Sequence, residues 1–114
     1  VALTRTELAT GMMFRKNMEE NEGMLFVFGI PHRASFYMKN TYVPLSIAFI
    51  DPAGNVLEIR DLKPLDENPV EAQSDQVQYV LEMKQGWFDR HQITAGAYMR
   101  TEKGTLAETF LPQR

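Results

Sequence analysis

The sequence predicts a mainly β domain (β-rich α+β). We expect a small barrel of about six or seven short, mostly antiparallel strands with a short N-terminal helix. Apolar runs of strand length recur along the chain, turn residues separate them, and no βαβ alternation, repeat or linker is present. Barrel closure is expected because it removes unpaired strand edges. The 114 residues fit one domain, 1–114.

The first predicted element is a helix over 5–13. Thr4 and Glu7 have capping-box spacing, and Leu8 and Met12 add an apolar stripe at helical spacing. A polar stretch, 15–23, follows as loop or frayed helix. The run MLFVF at 24–28 is typical of a buried strand, and 35–41 starts another strand after the Gly-Ile-Pro break.

The centre of the sequence predicts a hairpin. Strand alternation places Leu45, Ile47 and Phe49 on one face, and Pro52–Asn55 has the composition and length of a turn. The small residues on the opposite face, Ser46 among them, indicate close packing there. The return strand alternates as well. We therefore expect one core that contains Phe26, Leu45, Ile47, Phe49, Leu57, Ile59 and either Val80 or Leu81.

The second half predicts a loop, a strand, a helical turn and two closing strands. Residues 63–76 show no period, so we expect a long and mobile loop. In 77–83 the residues Val77, Tyr79, Leu81 and Met83 alternate onto one side, which leaves Glu82 on a solvated face. The stretch 87–94 reads as a turn of helix, 97–101 as a strand and 105–111 as a last strand.

Composition excludes several classes of function. The formal net charge is −3 and the basic residues are scattered, which argues against nucleic-acid binding. No apolar run approaches the roughly 18 residues of a membrane span. The absence of cysteine excludes disulfides, thiolate nucleophiles and iron–sulfur clusters, and His32 and His91 stand too far apart for a zinc motif. We expect no metal or cofactor. If a signal peptide precedes Val1, the protein is exported.

Several motifs in order resemble the domain of unknown function 192 family of small bacterial and archaeal proteins. They are GMMFRKNM, GMLFVF, FYMKNTYVPLSIAFID, GNVLEI, YVLEMKQG and ITAG, and they span 11–99. The resemblance implies a compact β-rich fold and frequent export, with no activity established for the family. It places Arg15, Met38, Lys39, Asn40, Thr41, Pro44, Asp51 and Gly54 on signature positions. Many relatives carry an Asp where this chain has Ser46 or Ala97, so a role for those carboxylates does not carry over.

The candidate site centres on Lys39-Asn40-Thr41. In one interpretation Asn40 staples a neighbouring loop and Thr41 is a turn residue. In the other, Lys39 and Arg15 form a cationic spot for an anionic group. Asp51 is a turn former or a catalytic carboxylate. The seven methionines fill a core or line a groove, with soft Cu(I) ligation as the alternative.

We therefore predict a binding module rather than an enzyme. Its groove is lined by Met and aromatic residues and has a small cationic end, and its ligand is a small anionic molecule or a protein. We expect a monomer or a weak dimer. The alternatives are a hydrolase-like enzyme that uses Asp51 or the carboxylates of 63–76, and a purely structural domain. The predicted ligand-binding residues are Arg15, Met38, Lys39, Asn40, Thr41 and Asp51.

Overall fold

The computed structural model describes residues 19–101 and 104–111, which form a mainly β structure. The strands and helices are β1 Gly23–His32, β2 Ser35–Phe36, β3 Leu45–Ile50, β4 Val56–Leu62, β5 Val70–Glu71, β6 Val77–Lys84, α1 Trp87–Arg90, β7 Arg100–Thr101, β8 Gly104–Thr105 and α2 Leu106–Phe110. Four strands form an antiparallel sheet in the order β1-β6-β3-β4. Two small pairs, β2 with β5 and β7 with β8, accompany it.

The four-stranded sheet is open within the described residues. Its edge strands β1 and β4 do not pair with each other, so the predicted closure into a barrel is not observed. The predicted helix over 5–13 lies outside the residues that the structure describes. No helix in 19–101 or 104–111 is long and apolar enough to cross a membrane.

Both faces of this sheet are buried, and β3 shows why. All six of its residues are buried, and its five apolar residues divide between two apolar clusters, one on each face. We call face one the side of Leu45, Ile47 and Phe49, and face two the side of Ala48 and Ile50. Segments 34–43 and 70–72 cover face one with apolar side chains, including Phe36 and Met38. The helices and the 93–99 segment cover face two.

The predicted core is confirmed on face one except at Ile59, because a bulge changes the facing of β4. Phe49 pairs with Glu58 and Ile50 with Val56, so Leu57 is the extra residue. Leu57 packs against face one, whereas Ile59 lies opposite Ala48 and packs against face two.

The pairing of β1 with β6 is also irregular near the start of β6. Between the pairs Val27–Tyr79 and His32–Val77 the extra residues lie in β1. Val77 joins the face-one cluster, whereas Tyr79 and Met83 pack on face two, so the prediction that these three residues share one side is wrong. Of the two alternatives for the face-one core, Val80 is the one that the structure places there.

Several other elements differ from prediction. Of the predicted strand 35–41 only Ser35–Phe36 is a strand, and its partner Val70–Glu71 lies inside the predicted loop 63–76. The predicted last strand, 105–111, is the helix α2. Its capping box pairs Thr105 with Glu108, and its residue Leu106 is buried on face two. The predicted helical turn after β6 is confirmed as α1.

Candidate functional site

The Met38–Thr41 segment is a turn joined to a second turn by backbone hydrogen bonds. The Thr41 amide donates to the Met38 carbonyl at 3.0 Å, the Met38 amide to Asp66 at 2.8 Å, and the Leu65 amide to Thr41 at 2.9 Å. The second turn, Lys63–Asp66, is closed by a 3.3 Å bond between its end residues. We call residues 38–41 and 63–66 the paired turns. The two turns lie next to each other because one precedes β3 and the other follows β4, and Leu45 at the start of β3 pairs with Leu62 at the end of β4.

Each of the paired turns contains a non-glycine residue in the left-handed conformation. The φ angle is +56° at Asn40 and +61° at Leu65. Asparagine adopts this region comparatively easily, but leucine rarely does. The backbone at Leu65 is therefore strained, and neighbouring structure must hold it there.

The turn replaces the predicted strand alternation at the site. Met38 and Thr41 are both buried, while Lys39 is exposed. The Thr41 hydroxyl donates to the Lys39 carbonyl at 3.2 Å. Main-chain hydrogen bonds, rather than the Asn40 side chain, fasten this turn to the neighbouring loop in the described structure. Asn40 contributes its left-handed backbone conformation.

Exposed large hydrophobic residues lie on or beside the two turns, of which the first carries the exposed Lys39. Tyr37 and Tyr42 flank the first turn and are 49% and 44% exposed, and Leu65 on the second turn is 53% exposed. We call Tyr37, Lys39, Tyr42 and Leu65 the paired-turn surface. Met38 does not belong to it, because its side chain is 2% exposed within the face-one core.

Of the remaining predicted site residues, the structure places Asp51 away from this surface. Arg15 lies outside the described residues, so its partnership with Lys39 stays a prediction. Asp51 follows β3 at the end opposite Leu45, roughly 20 Å away along a six-residue strand. Its Oδ1 accepts the amides of Ala53 at 3.0 Å and Asn55 at 2.8 Å, and its Oδ2 accepts the Asn55 Nδ2 at 3.2 Å. Asp51 therefore forms the hairpin turn.

That hairpin turn is docked on the 97–99 segment. Gly54 has a φ of +100°, and a Cβ there would come within 2.7 Å of the Met99 carbonyl oxygen. The Met99 amide donates to Gly54 at 2.8 Å and the Val56 amide donates to Ala97 at 2.8 Å. Both the left-handed backbone and the close contact explain glycine at this position.

Ser46 links two strands and the start of α1. Its buried hydroxyl donates to Asp61 Oδ1 at 2.7 Å and accepts the Gly86 amide at 3.0 Å. The carboxylate that lies next to position 46 in the sheet therefore belongs to Asp61 of β4. The group has a structural explanation, since it satisfies the amide that precedes α1.

The sequence analysis missed Glu82, which it placed on a solvated strand face. The residue is 5% exposed and lies directly opposite Met24 and Ile47, hence on face one. Its Oε2 is buried and has no hydrogen-bond partner, and burial raises the pKa of this carboxyl to about 8. The sequence of β3 carried a signal for this burial. A strand that is apolar on both faces is covered on both faces, and the strand paired with it is then expected to be covered on both faces as well.

The described histidines are engaged with aromatic rings rather than with a metal site. His32 lies 4.4 Å from Phe28, and His91 stacks on Trp87 at 4.3 Å. The His91 Nε2 is 3.3 Å from a Glu20 carboxylate oxygen. Within 19–101 and 104–111 no group of three or more His, Cys, Asp or Glu residues is arranged to hold a metal ion.

Together, the fold and site define a mainly β domain built on a two-sided antiparallel sheet, with a strained and exposed pair of turns at one end. The chain belongs to the DUF192 family, described as an uncharacterised ACR, whose family model matches residues 1–101. The predicted family resemblance is confirmed. No curated protein matches the chain.

Two solved structures are similar to this chain. A protein of unknown function from Novosphingobium aromaticivorans DSM 12444 is 36% identical, with a TM-score of 0.82 over 88% of this chain and 71% of that one. A Sinorhizobium meliloti 1021 protein, provisionally described as a transcription regulator, is 33% identical, with a TM-score of 0.81 over 85% of this chain and 75% of that one.

Proposed function

We propose that this chain is a binding module and that the paired-turn surface is its binding surface. The observation that carries the proposal is Leu65. This residue has a left-handed backbone and is 53% exposed, so it contributes strain without the compensation of a buried side chain. A non-glycine residue in this region costs about 1–3 kcal/mol, and such strain clusters at functional sites. Stability alone does not explain a leucine there.

The composition of the surface indicates the class of ligand. Tyr37 and Tyr42 offer rigid amphipathic rings, which are favoured at interfaces because little conformational entropy is lost on binding. Lys39 lies between them in sequence and is exposed. A ligand with an aromatic or apolar body and an anionic group matches this set. Arg15, if it lies nearby, would add to the cationic end.

Two acids of the alternative enzyme, Asp51 and Asp66, are occupied in turns. Asp51 accepts three hydrogen bonds from its own hairpin turn. In the predicted loop, Asp66 Oδ1 accepts the backbone amide of Asn68 at 2.9 Å and its side-chain amide at 3.0 Å. General acid–base catalysis needs a carboxyl that is free to exchange its proton with a substrate. These bonds favour a binding module over a hydrolase-like enzyme.

A thermal-shift experiment tests the proposal with defined probes. Phenyl phosphate and benzoate carry an aromatic ring and an anion, while inorganic phosphate lacks the ring. A ligand at 100 times its dissociation constant adds about 2.7 kcal/mol of stability. We expect the two aromatic anions to stabilise the wild type. We expect the Lys39→Ala and Tyr42→Ala variants to lose this stabilisation.

Two variants serve as matched controls. Tyr98 is 51% exposed and lies in the 93–99 segment that covers face two, and the exposed Arg100 begins β7 directly after that segment. Tyr98→Ala and Arg100→Ala should leave the stabilisation by the probes unchanged. Equal loss in all four variants, or no stabilisation by either aromatic anion, would contradict the proposal and favour a purely structural domain.

A further inference from the structure

We propose that Glu82 is a pH-sensitive switch in the face-one core: its neutral carboxyl is part of the closed core, and its ionised carboxylate releases the paired turns. The inference does not depend on whether the turns bind a ligand. It rests on the position of the carboxyl, on the lack of charge compensation around it, and on the way in which the turns are attached.

The backbone of Glu82 is fixed. Strand β6 is paired on both sides, and Glu82 lies opposite Met24 of β1 and Ile47 of β3. These neighbours are apolar, and Glu82 Oε2 is buried without a hydrogen-bond partner. The only other buried side-chain oxygen or nitrogen without a partner among the described residues is the Tyr79 hydroxyl, on face two. Glu82 is the one of the two whose ionisation falls near neutral pH.

The sheet offers Glu82 no compensating charge. Lys84 lies two residues along β6 on the same face, opposite Leu45, and its side chain is exposed. In the row of Glu82 the next charged residue is Arg60 of β4, beyond Ile47, and its guanidinium lies 2.9 Å from Glu58. Neither cation forms an ion pair or a hydrogen bond with Glu82 in the described structure.

The segments that cover face one offer none either. Their charged side chains are Lys39 and Glu71, and Arg33, Lys63, Asp66 and Glu67 lie beside them in the chain; only Asp66 is partly buried and the rest are exposed. Arg33 donates to the carbonyls of Ala72 and Gln73. Burial alone accounts for the raised pKa of the Glu82 carboxyl. Ionisation of Glu82 therefore requires more water around the carboxyl, in particular around its buried Oε2, and movement of the face-one cover would supply it.

The cover is the part of face one best able to move. Its backbone hydrogen bonds run largely within itself, between the paired turns and between β2 and β5. It contacts the sheet mainly through apolar side chains such as Met38 and Val43. Strands β3 and β6, in contrast, are held by continuous ladders. Opening is therefore expected at the paired turns.

Hydrogen exchange of the full chain tests the switch. Opening lets the carboxyl ionise, so it releases a proton between pH 4.5 and about 8, and the opening constant should rise about tenfold per pH unit. From about pH 6 to about pH 8, protection of the Met38 and Leu65 amides should fall about 50-fold after correction for the intrinsic rate, because the closed state is itself half ionised near pH 8. The Ile93 amide on face two, bonded to Phe88, is the internal control and should not change.

The Glu82→Gln variant completes the test, because glutamine keeps the size of the side chain and does not titrate. Protection of the Met38 and Leu65 amides should then become independent of pH. If Glu82→Gln does not fold, Glu82→Met provides the same comparison with an apolar side chain. The switch is overturned if the wild-type protection of these two amides is constant over this pH interval, or if its decline persists unchanged without the carboxyl.

Discussion

The buried carboxyl of Glu82 should make the stability of the whole protein depend on pH. In the folded chain the pKa is raised from the ordinary value of 4.5 to about 8, because burial penalises the charged form. The unfolded chain loses this proton near 4.5 and the folded chain retains it until about 8. Unfolding therefore releases a proton throughout that interval, and the free energy of unfolding falls as pH rises across it.

The magnitude follows from the two pKa values. At 1.36 kcal/mol per pKa unit, the gap between 4.5 and about 8 corresponds to about 5 kcal/mol. Between about pH 5 and about pH 9 the wild type should lose about 4 kcal/mol relative to Glu82→Gln. The glutamine amide can lower stability by its own burial, but that contribution is the same at every pH. The comparison therefore depends on the difference in slope.

Urea denaturation at several pH values measures this slope. With an m-value of about 2 kcal/mol/M, the midpoint of the wild type should move by about 2 M relative to the variant. The pKa values of Glu20 and Glu108 are lowered, Glu20 chiefly by its hydrogen bond to Arg90 and Glu108 by its bonds to Thr105. Their stabilisation is lost only as pH falls below about 4.5. Parallel pH profiles of the wild type and Glu82→Gln would refute the reasoning.

Three further predictions concern the fold. Phe49 is fully buried on face one, so Phe49→Ala should cost about 3–5 kcal/mol in urea denaturation, whereas the exposed control Lys39→Ala should change stability by less than about 0.5 kcal/mol. Asn40→Val should cost about 1–3 kcal/mol because of its left-handed backbone, and Asn40→Gly should be close to neutral; equal costs would contradict the turn geometry. Ser46→Ala leaves the Gly86 amide without its acceptor and should cost about 1–3 kcal/mol, and an unchanged melting temperature would show that this bond is dispensable.

The central hairpin could be predicted because its signals are local. The alternation of Leu45, Ile47 and Phe49 sets the facing of β3, and Pro52–Asn55 forms the turn, with Asp51 as its acceptor. The bulge at Leu57 could not be predicted in this way, since one extra residue preserves the apolar pattern of β4 while inverting its facing.

The sequence contained a signal for the helix α2, although a strand was predicted there. Thr105 and Glu108 have the spacing of a capping box, and both of its hydrogen bonds are present. The apolar residues Leu106 and Phe110 are four positions apart, which is helical spacing. The strand prediction gave more weight to the apolar content of 105–111 than to this cap.

The candidate site was predicted in part. The family resemblance directed attention to Met38, Lys39, Asn40 and Thr41, and the structure places all four in one turn. Leu65 could not be found in advance, because its strain and exposure depend on hydrogen bonds between segments distant in sequence. Glu82 was missed because strand alternation fixes a direction and does not reveal what covers that side.

The central claim is that the paired-turn surface binds an aromatic or apolar anion. Amide chemical shifts of the full chain during titration with phenyl phosphate test it most directly. The account predicts saturable shifts concentrated in residues 37–42 and 63–66, which are lost in Lys39→Ala and retained in Arg100→Ala. Shifts centred on the hairpin turn or on face two, or no saturable shift in the paired turns, would contradict it.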